Sequence, residues 1–417
     1  MYNAKEQLVA HQFINNLTGK SKFRVSKNSL KLGLSRQTYQ NKLDHLQEKK
    51  IIAKFTININ PNIQPNNLKF VMIEIKTNPK EPKLVKELLK IPQLRMLDGI
   101  IGEFSLFGLL VFRSPEEYYQ ILNRIDNIMA ESHFKKYQII ETIKVFKTNG
   151  ISLRETKMTI KEKLFEELES GELKIEEKFE IEKIAKNLTD IDIENIMYNP
   201  ERFPGLLIKF KDTKVSVIIE SNGMVYFRDL KKEKDLKEVF DKIIKIFTKI
   251  GVDLHKKPDF EIDEIDFKIL NILRDNQGFK PISTYEIRSF FHEQLKKDIS
   301  QSTIHNRIKR LEEKGVILNY TVNFHPKKIG FTGKYLLRVK PQNPSHYDKL
   351  ALKLEKIPHI TDLFRIGEQF GLFAIVRVKK IEDYAQFIRD LYEEEIEDTF
   401  TNFVLDELVP YTNFMLY

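Results

Sequence analysis

Residues 300–317 have the sequence Ser-Gln-Ser-Thr-Ile-His-Asn-Arg-Ile-Lys-Arg-Leu-Glu-Glu-Lys-Gly-Val-Ile, and much of it recurs in the first third of the 417-residue chain. An offset of 265 positions, from Ser35 to Ser300, aligns further identical residues. These pairs are Thr38 and Thr303, Asn41 and Asn306, Leu46 and Leu311, Glu48 and Glu313, Lys49 and Lys314, and Ile52 and Ile317. Gly102-Glu103 and Gly367-Glu368 align at the same offset. The chain is therefore predicted to contain an internal repeat.

The N-terminal copy has the pattern of a helix-turn-helix. Residues 6–17 carry an apolar stripe that predicts a helix, and residues 26–32 predict a second, shorter one. Ser35 is a good N-cap for a third helix, whose buried stripe would be Tyr39, Leu43 and Leu46. A turn followed by a helix with amide and basic residues near its start is typical of DNA readers.

The predicted DNA-binding residues lie at the start of this helix and of its C-terminal copy. Arg and Lys reach guanine edges or phosphates, and Asn and Gln can bond adenine; the alternative is a solvated helix face. The N-terminal set is Ser35, Arg36, Gln37, Gln40, Asn41 and Lys42. The C-terminal set is Ser300, Gln301, Ser302, His305, Asn306, Arg307, Lys309 and Arg310. We expect Asn306 and Arg307 to carry base selectivity, and Leu311 and Val316 to be core.

A strand-helix-strand-strand-helix-strand order follows each copy, which is the ferredoxin-like arrangement. The N-terminal elements are predicted at residues 68–75, 80–89, 95–99, 107–112, 115–129 and 137–147. The C-terminal elements are predicted at residues 335–339, 346–354, 360–365, 373–378, 381–391 and 399–407.

The C-terminal copy resembles the Lrp/AsnC family. The resemblance rests on the Asp-x-x-Asp-x-x-Ile-Leu pattern of residues 263–270 and on Arg310-Leu-Glu-Glu-Lys-Gly-Val-Ile317. It implies DNA binding, pairing of the ferredoxin-like domains, and an amino-acid effector near a Gly-x-x-Asp-like turn. Ser105 and Gly371 stand where the acid is expected, so a pure dimerisation module is the alternative to an effector site. Two such modules in one chain would form an intramolecular pseudo-dimer.

The central third contains Tyr-Asn-Pro-Glu-Arg-Phe-Pro-Gly at residues 198–205, followed by apolar strands predicted at 206–210, 215–219 and 224–227. Ser221-Asn222-Gly223 predicts a hairpin turn, because Asn-Gly accepts positive φ at both positions. An amphipathic helix is predicted at 234–249. This order resembles one half of a TATA-binding protein.

That resemblance implies a sheet face that lies on the DNA minor groove, with Phe203 as a wedge. Strand alternation predicts that the groove or partner face comprises Phe203, Leu207, Lys209, Val217, Ile219, Val225 and Phe227. The alternative for this face is a protein contact. A half-saddle also leaves a sheet edge open, so association of two chains would complete it.

The predicted fold class is α+β. The domains are a winged helix-turn-helix at 1–60, a ferredoxin-like domain at 66–150, a TATA-binding-protein-like half domain (antiparallel sheet plus helices) at 160–255, a second winged helix-turn-helix at 260–325 and a second ferredoxin-like domain at 331–417. The chain has no cysteine, which excludes disulfides and thiolate metal sites. Its net charge of +9 is compatible with a polyanionic partner.

No phosphate-binding loop, dinucleotide fingerprint or zinc-protease motif is present, so we expect no enzyme, catalytic residue, metal or cofactor. No signal peptide or membrane-spanning run is present, so we expect a cytoplasmic, chromosome-associated protein with no membrane partner.

The predicted function is a sequence-specific transcription regulator from an archaeon that binds double-stranded DNA as a homodimer. Alternatives are an adaptor whose central domain binds basal transcription factors, an architectural chromatin protein, or a small-molecule sensor.

Overall fold

A computed structural model describes residues 4–62, 68–78, 81–153, 170–174, 181–186, 188, 193–198, 205–220, 224–229, 238–239, 242–243, 245–246, 262–393 and 396–417. The chain divides into two compact units, one of Met1–Leu153 with Phe260–Tyr417 and one of Arg154–Asp259. The predicted mixed α+β class is confirmed. None of the helices within the described ranges is long and apolar enough to cross a bilayer.

The N-terminal third has the predicted elements with small shifts in their ends. They are α1 Ala4–Leu17, α2 Val25–Lys31, α3 Arg36–Glu48, β1 Ile52–Ile59, β2 Lys69–Ile75, α4 Pro82–Leu88, β3 Leu94–Ile100, β4 Leu106–Phe112, α5 Pro115–Ala130, β5 Tyr137–Thr148 and the short β6 Ile151–Ser152. Local capping fixes several helix starts. The Ser114 hydroxyl, for example, accepts a hydrogen bond from the Glu117 backbone N–H, with Pro115 at the first helical position.

The central unit is a five-stranded sheet in the order β7-β11-β10-β9-β8. Its elements are β7 Ser170–Lys174, α6 Ile181–Lys186, β8 Ile193–Tyr198, β9 Gly205–Phe210, β10 Ser216–Glu220 and β11 Met224–Arg228. Residues 238–239, 242–243 and 245–246, within the predicted last helix, are helical. Val239, Ile243 and Ile246 join α6 in a core against one face of the sheet. The predicted Ser221-Asn222-Gly223 turn lies outside the described residues.

The C-terminal third repeats the N-terminal order. Its elements are α7 Glu264–Asp275, α8 Thr284–Leu295, α9 Gln301–Glu313, β12 Ile317–Phe324, β13 Gly333–Pro341, α10 Tyr347–Leu354, β14 Ile360–Ile366, β15 Leu372–Val378, α11 Ile381–Leu391 and β16 Ile396–Glu407. A short 3-10 helix, Pro326–Ile329, follows β12.

The sheets of the two thirds close on each other. Strands follow the order β14-β15-β13-β16-β3-β4-β2-β5, and β5 pairs again with β14, which completes a ring. Each of the two seams, β16–β3 and β5–β14, joins the last ferredoxin-like strand of one third to the second strand of the other. The two seams are therefore equivalent, as a two-fold relation requires. The ring interior holds apolar side chains from both thirds, including Phe107 and Phe373, whose rings stack 5.2 Å apart.

The strands that follow α3 and α9 also interlock the thirds. β1 and β12 pair antiparallel, with Ile57 opposite Tyr320. Ile57, from the N-terminal third, packs in the core of α7, α8 and α9. Val322 and Phe324, from the C-terminal third, pack in the core of α1 and α3. Each helical core is therefore completed by a strand of the other third.

Buried charges lie in the ring beside the β16–β3 seam. The Lys334 ammonium is 2.6 Å from Asp98 and 3.4 Å from Glu407, and the Arg377 guanidinium contacts Glu407 at 2.6 Å. Burial raises the pKa of Asp98, although Lys334 opposes the rise. Burial acts in the same direction on Glu407, but Arg377 and Lys334 outweigh it and lower the pKa of Glu407 to about 2.

Glu407→Gln should flatten the acid limb of the stability curve. The pKa of Glu407 is about 2 in the folded protein, below its ordinary 4.5. The ionised Glu407 therefore contributes stability that is fully present above its pKa in the unfolded chain. This contribution is lost as the pH falls towards its pKa in the folded protein. Linkage puts this contribution at about 3 kcal/mol. Urea unfolding at a series of pH values from 6 down to 2 measures it. Equal slopes for the variant and the wild type would contradict the assignment.

Candidate nucleic-acid interface

The two helices predicted to contact DNA, α3 and α9, are called the recognition helices here, and they begin in the same way. The Ser35 hydroxyl accepts a hydrogen bond from the Thr38 backbone N–H at 3.1 Å, and the Ser300 hydroxyl accepts one from Thr303 at 3.1 Å. Both caps have extended backbone. The two serines predicted to contact DNA thus also start the helices that carry the other candidates.

The N-terminal recognition helix presents its predicted residues to solvent. Ser35, Arg36, Gln37, Asn41 and Lys42 are exposed and Gln40 is half-buried. Gln37 donates to the Asn41 side chain at 2.8 Å, and Gln40 donates to Asp44 at 2.7 Å. These bonds run along the helix surface between residues four positions apart, so the amides stay accessible. Tyr39, Leu43 and Leu46 form the buried stripe, as predicted.

The C-terminal recognition helix also has an exposed polar face. Its exposed predicted residues are Ser300, Gln301, Ser302, His305, Asn306, Lys309 and Arg310. Lys309 lies 3.6 Å from Glu313 in a solvent-exposed pair. Such surface pairs contribute little to stability, so little free energy would be lost if Lys309 contacted a phosphate instead.

Arg307 has a structural role that the sequence interpretation did not assign. Its guanidinium contacts Asp263 at 2.7 Å and Asp266 at 2.9 Å, and Arg310 contacts Asp266 at 2.6 Å. Asp266 is fully buried and also completes the capping box of α7 with Asp263. Burial opposes ionisation of Asp263, but the Asp266 backbone N–H and Arg307 outweigh it and lower the pKa of Asp263. Arg307 is therefore committed to α7, and of the two predicted base readers Asn306 is the exposed one.

A sequence signal for this network was present. Asp263 and Asp266 are three positions apart on α7, as are Arg307 and Arg310 on α9, so each pair lies on one helix face. The N-terminal copy has different residue types at the positions of the two arginines. Lys42 and His45 occupy the positions of the two arginines and are exposed, and α1 begins with Ala-Lys-Glu-Gln.

The face predicted for the central sheet is wrong for Val217, Ile219, Val225 and Phe227. All four are fully buried against the helical side of the sheet. Leu207 and Lys209 lie on the opposite, open face, and Phe203 lies outside the described residues.

The cause of this error is strand register. Leu207 pairs with Ile218, not with Val217, and Ile218 pairs with Tyr226, so the open face has the other parity on β10 and β11. Met197, opposite Leu207, extends this row and is 59% exposed. The polar residues Ser216 and Glu220 share this parity and mark it as the less buried one.

At the two turns where an effector is expected, Ser105 and Gly371 replace the acidic residue, and both positions are engaged within the protein. The Ser105 hydroxyl is engaged with Thr77 at 2.7 Å. Gly371 has a positive φ, and the Arg365 guanidinium and Tyr347 ring occupy the space that its side chain would fill.

Comparison with known proteins follows the same division of the chain. A protein-family model described as the Lrp/AsnC ligand binding domain matches residues 335–414. The HTH-type transcriptional regulator Ptr1 of Methanocaldococcus jannaschii is 30% identical over 129 residues, which are 31% of this chain and 80% of that protein. The chain belongs to the Lrp/AsnC family. The regulator FL11 of Pyrococcus furiosus, 31% identical over 145 residues, covers 34% of this chain and 89% of its own length. The family's relatives are transcription regulators, in agreement with the predicted class.

The central unit has a different relative. A model described as transcription factor TFIID (or TATA-binding protein, TBP) matches residues 171–250. The TATA-box-binding protein of Thermococcus kodakarensis is 32% identical over 100 residues, which are 22% of this chain and 53% of that protein. This Lrp/AsnC chain thus carries a segment similar to about half of a TATA-binding protein, as predicted.

Asp266→Ala should destabilise the C-terminal helices. It leaves Arg307 and Arg310 without their buried partner and breaks the α7 capping box, a combined cost of about 3–5 kcal/mol. Chemical denaturation followed by circular dichroism measures the change. Asp44→Ala, at an exposed α3 carboxylate that accepts a hydrogen bond from Gln40 of the same helix, is the control and should cost less than about 1 kcal/mol. A loss of unfolding free energy no larger than that of Asp44→Ala would contradict the structural role of the network.

Proposed function

We propose that the chain is a sequence-specific, DNA-binding transcription regulator with two helix-turn-helix domains and two ferredoxin-like domains. In this proposal α3 and α9 enter major grooves, and chains associate through their central half domains. The observation that carries the proposal is the pair of equally capped recognition helices, each with exposed amide and hydroxyl side chains near its start. Lys42 and Lys309 would contact phosphates, so affinity should fall with added salt.

The two recognition helices differ, and this favours an asymmetric target. At equivalent positions α3 has Gln37 and Gln40 where α9 has Ser302 and His305. Different side chains read different base edges. A family member built from identical subunits presents the same helix twice, whereas this chain presents two different ones. The proposed operator therefore has unlike half-sites.

Asn41→Ala and Asn306→Ala should affect different half-sites. Each should weaken binding by about 1–3 kcal/mol and relax base preference at one position. Selection from a random DNA pool defines the site for the wild type, and fluorescence anisotropy gives each Kd. Lys83→Gln, at an exposed lysine on α4, is the control and should leave Kd unchanged. Changes confined to one shared position, or no change in either variant, would overturn the assignment.

A second candidate makes the central domain a protein-binding adaptor. The row Met197, Leu207, Ile218 and Tyr226 crosses neighbouring strands of the open face and is mainly apolar, with Lys209 nearby. An apolar sheet face that is partly exposed among the described residues suits a protein contact as well as a minor groove.

Ile218→Asp in the full-length chain separates these roles. If the open face binds DNA, the substitution should weaken DNA binding at least about tenfold, because a carboxylate would face the phosphates. If the face binds a second chain or a basal factor, DNA affinity should persist while association, measured by light scattering and by pull-down of purified basal factors, is lost. Glu238→Asp, at an exposed helical position, is the control. If the variant keeps both DNA binding and association, both proposed roles of the open face are wrong.

A further inference from the structure

A cavity of about 410 Å³ lies between the β1–β12 ribbon and one mouth of the strand ring. Its volume is within the range of small-molecule sites. Its walls include Asn58 of β1, Asn323 of β12, Lys334 of β13 and Glu407 of β16. It therefore touches both the strands that complete the helical cores and those that form the ring.

Three cations from three separate elements meet at one end of this cavity. They are Lys54 of β1, Arg95 of β3 and Arg274 at the end of α7. All three are tied to Asp275: Arg95 lies 3.3 Å and Arg274 2.8 Å from its carboxylate, and Lys54 donates to its backbone carbonyl at 2.8 Å. Glu117 attracts Arg95 more weakly. The positive charges at this end exceed the carboxylates in contact with them.

Arg95 has hydrogen-bonding capacity left over. Its Nε is buried and, within the described part of the chain, has no hydrogen-bond acceptor. Burial, and then repulsion by Arg274, lower the pKa of Arg95 to about 10. Burial, with further repulsion by Arg95 and Arg274, also lowers the pKa of Lys54, against the attraction of Asp275. An additional anion in the cavity would relieve this repulsion.

The other charged side chains on the cavity wall already have partners. Asp362 accepts hydrogen bonds from the Asn149 backbone N–H at 3.0 Å and from the Thr361 hydroxyl at 2.8 Å. Arg377 makes two hydrogen bonds to Glu407, at 2.6 and 3.2 Å, and Lys334 pairs with Asp98. The cavity wall also includes amides that bond to one another, such as Asn149, which donates to Asn58 at 2.9 Å. The cavity thus has one end with excess positive charge and a polar wall beside it.

We propose that this cavity binds a small organic anion, with its carboxylate or phosphate group held by Lys54, Arg95 and Arg274. Guanidinium groups in a half-buried site bind oxyanions by charge-assisted hydrogen bonds. A bound anion would link α7 of the C-terminal helix-turn-helix to β3 of the ring and to β1. The site lies away from the Ser105 and Gly371 turns and depends on neither.

Calorimetric titration of the full-length chain, without DNA, tests the site. The probes are pyrophosphate and succinate, each at constant ionic strength adjusted with sodium chloride. Saturable binding of pyrophosphate alone supports a phosphate ligand, binding of succinate alone supports a carboxylate ligand, and binding of both supports a general oxyanion site. If neither probe binds saturably, the proposal is overturned.

Arg95→Gln should weaken binding of the probe by about tenfold or more, the loss expected for a charged hydrogen bond. Lys90→Gln removes an exposed lysine outside the cavity and should leave binding unchanged. Equal affinity in these two variants overturns the proposal. Lys54→Gln repeats the test if Arg95→Gln loses its near-ultraviolet circular dichroism. Because no DNA is present, the outcome is independent of the proposed regulatory function.

Discussion

Strand pairing at two seams is the constraint on which the larger unit depends. A four-stranded sheet from either third alone would expose two edges of unpaired peptide groups. The β16–β3 and β5–β14 pairings remove these edges by joining the sheets to each other. They also cover the apolar face that carries Phe107 in one third and Phe373 in the other. The core inside the ring, like the two helical cores, therefore contains side chains from both thirds.

Buried ion pairs between the two thirds favour this arrangement over others. Asp98 with Lys334 and Glu74 with Arg338 each join the two thirds, at 2.6 and 2.7 Å, and all four side chains are buried. A buried pair adds little net stability, because desolvation offsets the attraction, but a buried charge without its partner is costly. An alternative pairing of the sheets would separate these partners. The charges therefore penalise wrong arrangements more than they stabilise the right one.

Local order was predictable from the sequence, whereas register and side-chain partners were not. Caps such as Ser35 and Ser300, together with apolar periodicity, placed helices and strands close to their observed ends. Periodicity describes one element at a time, so it left open whether Leu207 lies opposite Val217 or Ile218, and this choice reverses the exposed face of β10. The ion pairs of Arg307 with α7 were not foreseen for a related reason: a basic residue near a helix start suits DNA and an acidic neighbour equally well. Only the packing of α9 against α7 distinguishes the two.

Fusion of two copies in one chain removes the requirement that they be identical. Offset by 265 positions, Lys54 corresponds to Asn319 and Arg95 to Ile360. The equivalent positions of the repeat therefore do not provide a second set of these cations. The Arg307–Asp266 ion pair likewise uses an arginine that the other copy replaces with Lys42. Both features involve α7, the first helix of the C-terminal helix-turn-helix. An anion bound beside Arg274 would therefore act on α9 through α7 while leaving α3 without an equivalent contact. A subunit with one regulated and one unregulated recognition helix is inaccessible to a symmetric dimer of single modules, because any ligand site present once per module is present beside both helices.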